Sequence, residues 1–130
     1  MSGTLDGPRG QLMLRTLAMP ADTNPAGDIF GGWLLSQMDV AGGLAAKQRA
    51  GGRVATVAVD SMTFHKPVFV GDVLCCYADQ RRIGRTSLTY HVQAWVVRET
   101  GGNERVLVTE GDFTYVAIDA ERRPRPVAGE

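Results

Sequence analysis

Residues 24–43 read NPAGDIFGGWLLSQMDVAGG, and the apolar run that begins inside this segment predicts one helix over about 30–50. The pair Gly51-Gly52 follows directly and supplies a stop signal for that helix. Four apolar residues recur at helical spacing and predict its buried side: Leu34, Met38, Ala41 and Ala45.

A carboxylate, Asp39, stands in the middle of this apolar helix, off the predicted buried side. A buried acid without a partner costs several kcal/mol, so its position needs a reason. Its neighbours along the helix are all small: Gly32, Ser36, Gly43, Ala46 and Ala50. Two interpretations stay open, a solvated helix acid and an acid that borders a narrow groove into which a thin ligand fits.

Strand signals flank the helix on both sides. Residues 11–18 alternate and predict a first strand, and the loop over 19–28 carries two prolines. After the helix the period of the apolar pattern changes to two, which predicts four more strands over 53–64, 73–80, 86–98 and 105–118. We expect 53–64 to be a central strand because both its faces are apolar, a hairpin turn at 100–104, and a bulge at Gly111.

This order of elements predicts an α+β fold, in which a curved antiparallel five-stranded sheet wraps around one long central helix. One helix covers only one face of a sheet, so self-association is expected on packing grounds. We predict a single domain over 11–118, between a flexible N-terminus over 1–10 and a flexible C-terminal tail over 119–130.

The charge composition excludes some partners. The 14 basic and 14 acidic residues balance, which argues against nucleic acid and membrane surfaces. Cys75 and Cys76 are adjacent in a strand and form neither a disulfide framework nor a metal motif. We therefore expect a cytoplasmic protein with no metal and no cofactor.

Several short motifs together resemble the YciA-type acyl-CoA thioesterases of the hotdog superfamily. The pattern Asn-x-x-Gly-x-x-Phe-Gly-Gly, followed by Met-Asp, is specific because unusual residues must coincide at fixed spacing. The segments that carry the resemblance are 18–25, 27–33, 36–39, 54–60, 62–64, 66–68 and 70–73. It implies hydrolysis of the thioester of acyl-coenzyme A, a hotdog fold, and a homodimer as the active unit. We expect that dimer alone or in a trimer of dimers, and the sequence does not decide between a tetramer and a hexamer.

The resemblance also implies roles for two residues. Asp39 would act as general base or as nucleophile, a choice that the sequence leaves open. Asn24, from the partner subunit, would position the water or the thioester carbonyl, although an Asn before Pro25 is equally a turn residue.

An oxyanion needs hydrogen-bond donors, and the helix start presents free backbone N–H groups. We expect the N–H of Gly32, with Gly31 as second choice, to serve in this role. The alternative is that these glycines only allow close helix packing.

Coenzyme A also carries phosphates, and one concentrated basic cluster is available to bind them. Candidate contacts to the coenzyme are Arg82, Gly84, Arg85, Thr86 and Ser87, with Lys66 a weaker candidate. An arginine-rich hairpin is also commonly just a solvated turn.

Two further functions compete with hydrolysis. A non-catalytic acyl-CoA-binding or sensing module would keep the basic turn but need neither Asp39 nor Asn24. A dehydratase acting on acyl thioesters normally needs a His with a carboxylate, and the loop before the helix contains no His. We expect His65 and His91 to be structural or interfacial. Where members of the resembled family often have an apolar residue this chain has His65, which could alter its substrate preference.

Overall fold

The computed structural model describes residues 7–98 and 104–127 of the 130-residue chain. Its regular elements are β1 (Gln11–Leu17), α1 (Gly31–Ala50), β2 (Val54–Phe64), β3 (Val73–Ile83), β4 (Ser87–Arg98) and β5 (Glu104–Ala117), with a short 3₁₀ turn over Pro20–Asp22. Residues 1–6, most of the predicted hairpin turn (100–103) and residues 128–130 lie outside the described residues.

The five strands form one antiparallel sheet in the order β1-β3-β4-β5-β2, and α1 contacts all five. The predicted combination of one sheet and one long helix is confirmed. The prediction that the strand after the helix is central is wrong, because β2 lies at the sheet edge. Its valines Val57 and Val59 are 57% and 38% exposed, so its second apolar face is uncovered within the protomer.

The core lies between α1 and the inner face of the sheet. All four residues of the predicted helix stripe are buried, as are the five predicted inward residues of β4: Leu88, Tyr90, Val92, Ala94 and Val96. The helix ends as predicted, since Gly51 adopts a left-handed conformation (φ 70°) and donates to the Lys47 carbonyl oxygen. In the described part of the chain, no helix is long and apolar enough to cross a membrane.

The bulge predicted at Gly111 lies instead in the neighbouring strand. Gly111 pairs regularly with Val92, whereas β2 has one extra residue opposite it, around Ser61 and Met62. Ser61 has φ 57°, as a bulged residue can. The Met62 side chain occupies the space that a Cβ on Gly111 would need, so the glycine accommodates its neighbour's bulge.

Hydrogen bonds hold the described part of the predicted C-terminal tail, 119–127, against the body. The Val127 N–H donates to the Arg85 carbonyl oxygen (2.8 Å). The Arg125 guanidinium donates to the carbonyl oxygen of Ala50 (3.2 Å) and to that of Ile118 (3.1 Å). Arg125 therefore brings a cation to carbonyl groups at the C-terminal end of α1, where the helix dipole favours positive charge.

A buried ion pair shapes the turn between β2 and β3. The Asp72 carboxylate is 6% exposed, and it accepts hydrogen bonds from the Phe69 N–H (2.9 Å) and the Arg98 guanidinium (3.3 Å). The same turn receives the loop before the helix, since the Ile29 N–H donates to the Val68 carbonyl oxygen (3.0 Å). These contacts fix the loop that carries Asn24 relative to the end of β2.

Candidate active site

A cavity of about 340 Å³ lies between the loop before α1, the first turn of α1 and the end of β2. Its polar walls come from Asn24, Asp28, His65 and Lys66, and Gly31 also lines it. The apolar walls include Ile29, Leu34, Phe64 and Val68. Phe64 is 54% exposed and lines this cavity. The structure thus brings together three predicted site residues: Asn24, Gly31 and Lys66.

The carbonyl oxygen of the Asn24 side chain is used within its own loop. It accepts hydrogen bonds from the Ala26 N–H (3.0 Å) and from the Asp28 N–H (3.1 Å), the pattern of an Asx turn. The turn role that we weighed for Asn24 is therefore present. The side-chain NH₂ group has no partner among the described residues, so Asn24 also has donors to offer a ligand.

The start of α1 presents unpaired backbone donors. Leu34 donates the first helical hydrogen bond, to the Phe30 carbonyl oxygen (3.3 Å), so the N–H groups of Gly31 and Gly32 precede the helical ladder. A Cβ built on Gly32 would meet nothing within 4 Å among the described residues, and Gly32 does not have a positive φ. Close packing inside the described protomer therefore gives no reason for this glycine. A Cβ on Gly31 would only touch the Phe64 ring, at 3.4 Å.

The Asp39 carboxylate is partly buried and held by two hydroxyl groups. Its Oδ1 accepts hydrogen bonds from the Thr56 hydroxyl (2.8 Å) and the Tyr115 hydroxyl (3.1 Å). Burial, and after it the nearby Asp39, raises the pKa of Tyr115 well above its ordinary value, so the hydroxyl remains a donor. The second oxygen, Oδ2, has no hydrogen bond to the described residues. The acid is therefore oriented from one side and open on the other.

Asp39 does not line the cavity that holds Asn24 and Gly31. It stands eight residues after Gly31 in the same helix, a separation of about 12 Å along the helix axis. Within one protomer, the two predicted catalytic side chains, Asp39 and Asn24, therefore do not line the same cavity.

The basic turn lies near the other end of α1. Gly84 donates its N–H to the Ser87 carbonyl oxygen (2.8 Å), and the Thr86 carbonyl oxygen accepts from the Ala117 N–H (2.9 Å). Arg82 and Arg85 are exposed. The tail that contacts this turn also contacts the C-terminal end of α1 through Arg125. A 20-residue helix is about 30 Å long, so in one protomer the predicted coenzyme contacts of this turn lie far from the cavity, whereas Lys66 lines it.

A chain of ionisable side chains on the outer face of the sheet was not predicted from the sequence. Glu110 receives hydrogen bonds from Nε2 of His65 (2.9 Å) and from Nε2 of His91 (2.7 Å). His91 Nδ1 is 2.7 Å from Asp112 Oδ1. Burial tends to raise the pKa of Glu110, but hydrogen bonds from His91, His65 and Gln93 outweigh it and hold the pKa below its ordinary value. The partners stand on different strands, so no spacing in the sequence signals them.

The hydroxyl groups that hold Asp39 were also missed. Thr56 and Tyr115 belong to β2 and β5, and each occupies an ordinary position in an alternating strand. Among residues 7–98 and 104–127, no group of three or more His, Cys, Asp or Glu side chains is arranged to hold a metal ion.

Comparison with known proteins identifies the family. Residues 26–102 match the Thioesterase superfamily. The chain is 53% identical over 127 residues to the acyl-CoA thioester hydrolase YciA of Salmonella typhimurium, covering 95% of this chain and 96% of that protein. A hexameric thioesterase of Yersinia pestis superposes with a TM-score of 0.90 at 54% identity, covering 94% of this chain and 99% of that one.

A more distant structure is that of an acyl-CoA hydrolase from Staphylococcus aureus, in complex with butyryl coenzyme A, coenzyme A and coenzyme A disulfide. It has a TM-score of 0.81 at 32% identity and covers 89% of this chain and 70% of that one. Variants of that hydrolase with one asparagine or one aspartate changed to alanine have also been solved. The hotdog fold implied by the sequence motifs is confirmed by these likenesses. The chain belongs to the Thioesterase superfamily.

Proposed function

We propose that this protein hydrolyses the thioester of acyl-coenzyme A to a free carboxylic acid and coenzyme A, in a site that two protomers form together. The observation that carries this proposal is the separation of Asn24 and Asp39 along the chain. In the Staphylococcus aureus hydrolase, the asparagine and the aspartate chosen for substitution stand 15 positions apart. Asn24 and Asp39 are also 15 positions apart.

Asp39 has the geometry of a general base. The hydroxyls of Thr56 and Tyr115 fix one carboxylate oxygen, which leaves Oδ2 to take a proton from an attacking water. The same oxygen could attack the thioester carbonyl directly and form an anhydride that water then hydrolyses. Either route ends with the coenzyme A thiolate leaving and taking up a proton.

The helix start supplies the complementary part of the site. The N–H of Gly32, or that of Gly31, donates to the oxyanion that forms on the thioester carbonyl. The free NH₂ group of Asn24 positions the carbonyl or the water beside it. None of these steps requires a metal or a cofactor.

A second copy of the chain would bring the separated parts together. Val40 and Leu44 of α1 are exposed, as are Val57 and Val59 of β2, and β2 is an unpaired sheet edge. A two-fold arrangement that pairs this edge with its copy runs the two helices antiparallel. Asp39 of one protomer then approaches Asn24 of the partner subunit, and the basic turn of one protomer approaches the helix start of the other.

We extend the proposal from this dimer to the wider assembly and to the coenzyme contacts. The Yersinia pestis relative is hexameric, which supports a trimer of dimers here. Arg82 and Arg85, with Gly84, Thr86 and Ser87, would bind the phosphates and pantetheine of coenzyme A, and Lys66 would contribute from the cavity. We also propose a cytoplasmic location, where acyl-CoA substrates are made and used.

The first test follows release of coenzyme A thiol from several acyl-CoAs. Asp39→Asn should remove most turnover while acyl-CoA binding and the thermal unfolding temperature stay close to those of wild type. Glu121→Gln, at an exposed position outside the sheet, is the control and should keep its rate. Both cysteines are buried, and burial, with neighbouring Cys75, raises the pKa of Cys76 to about 12, so the protein's own thiols add little background. Binding without thiol release in the wild type would indicate a sensing module instead.

A second test addresses the shared site. Asp39→Asn and Asn24→Ala chains are purified separately, then unfolded and refolded together. If each site takes Asp39 and Asn24 from different subunits, a mixed dimer contains one intact site, and statistical mixing restores about a quarter of wild-type activity. If both residues come from one subunit, no mixture regains activity.

A further inference from the structure

The ring of His65 is fixed at the wall of the candidate cavity. Its Nε2 donates to Glu110 Oε2 at 2.9 Å, and an ionised carboxylate only accepts hydrogen bonds, so this nitrogen carries a proton. Nδ1 has no hydrogen-bond partner in the described part of the chain. The imidazole is about a third exposed, so one of its nitrogens is held while the other can meet a ligand.

A second histidine, His91, holds Glu110 in place. Its other oxygen, Oε1, accepts from Nε2 of His91 at 2.7 Å, while Nδ1 of His91 lies 2.7 Å from Asp112. A carboxylate oxygen therefore lies within hydrogen-bond distance of each nitrogen of His91, so its ring is held from both sides. Glu110 therefore lies between two imidazole rings that fix its carboxylate, and the carboxylate in turn fixes the ring of His65.

This polar ring faces a cavity whose other walls are largely apolar. Ile29, Leu34 and Phe64 line the same space and could receive a hydrocarbon chain. A plain alkyl chain that covered an imidazole nitrogen would remove it from water without replacing the lost hydrogen bond. A chain with a hydrogen-bonding group at that point avoids this cost.

We propose that His65 is a specificity-determining residue of this site and that it favours acyl groups carrying a hydroxyl substituent. This inference rests on the proposed hydrolase function and names part of its substrate class. A hydroxyl both donates and accepts, so it pairs with Nδ1 whether that nitrogen is protonated or not. A carboxylated acyl group is a poorer fit, because the Glu110 carboxylate is bonded to the ring and the Asp28 carboxylate lines the same cavity.

The test compares three substrates that share the same coenzyme: 3-hydroxybutyryl-CoA, butyryl-CoA and succinyl-CoA. We expect His65→Leu to lower kcat/KM for 3-hydroxybutyryl-CoA relative to butyryl-CoA by about tenfold. His65→Gln, which keeps a hydrogen-bonding group, should retain most of the wild-type ratio. Glu121→Gln, at an exposed position outside this cavity, is the control and should leave the ratio unchanged.

The outcomes separate this inference from the proposed function. If wild type releases no thiol from any of the three substrates, the hydrolase proposal fails. If wild type is active but His65→Leu lowers the rates for 3-hydroxybutyryl-CoA and butyryl-CoA equally, the ring contacts the shared coenzyme part or is structural. That result would overturn the specificity role, as would an effect confined to succinyl-CoA.

Discussion

The Tyr115 hydroxyl lies within hydrogen-bond distance of two oxygens of one residue, the Asp39 carbonyl oxygen at 3.0 Å and its carboxylate Oδ1 at 3.1 Å. Tyr115 is buried in the core on β5, whereas Asp39 belongs to α1. A core residue, Tyr115, therefore fixes the position of the Asp39 side chain. An aspartate tied in this way loses little further freedom when a substrate binds, which is the condition for precise catalysis.

The hydrogen bond from Thr56 to Asp39 should matter for rate more than for substrate binding. Thr56→Val keeps the β-branched shape of an edge-strand residue and removes the donor 2.8 Å from Oδ1. We expect kcat to fall about tenfold with little change in KM. The matched control is Thr89→Val, which breaks a hydroxyl pair with Thr114 elsewhere in the sheet. Equal kinetic effects of the two substitutions would contradict a specific role for Thr56.

Two glycines of the same helix should respond in opposite ways to alanine. Gly42→Ala should lower the thermal unfolding temperature, because a Cβ there would collide with the Tyr115 hydroxyl. The added methyl group of Gly32→Ala meets no atom within 4 Å among the described residues, so the fold should remain stable. Its turnover should nevertheless fall at least tenfold, because a methyl group obstructs the approach of the thioester carbonyl. Full activity in Gly32→Ala would remove the helix start from the mechanism.

The basic turn should recognise the phosphates of coenzyme A and not the acyl group. Replacing Arg82 and Arg85 together by Ala should raise KM for acyl-CoA about tenfold. A pantetheine thioester, which lacks the nucleotide phosphates, should be hydrolysed equally by the variant and wild type. Arg81→Ala is the control, since Arg81 already pairs with Asp79 at 3.0 Å. A KM increase of the same size for both substrates would show that the turn does not read phosphate.

Glu110 should make stability depend on acidity. The native state holds its pKa below the ordinary value of 4.5, so the ionised carboxylate stabilises the fold at neutral pH. This contribution is present above the unfolded pKa and is lost as the pH falls through the lower native value. Between about pH 7 and pH 3, Glu110→Gln should therefore lose less of its unfolding temperature than wild type does. Glu121→Gln, at an exposed site, is the comparison, and parallel curves for all three proteins would contradict the prediction.

The parts of the fold that depend on the local spacing of apolar residues could be predicted from the sequence. The helix stripe through Leu34 and Met38 and the alternation through Leu88 and Val92 each repeat with the spacing of their element, and each is buried. The stop at Gly51 needs only the freedom of glycine to adopt a positive φ. Such signals lie within a few residues of one another.

Features that depend on how strands pair could not be predicted. The contact of His65 with Glu110 joins residues 45 positions apart, and the contact of Tyr115 with Asp39 joins residues 76 positions apart. Both depend on register and strand order, which the apolar pattern does not encode. The position of β2 in the sheet could not be predicted for the same reason. A strand with two apolar faces has the same sequence pattern whether its own chain or another copy covers the second face.

The unpaired edge of β2, with its exposed valines, makes an isolated protomer prone to aggregation. Its unpaired backbone N–H and C=O groups could pair with any other exposed strand. Assembly therefore covers this edge as well as completing the site, and dilution that dissociates the assembly should lower the turnover per protomer.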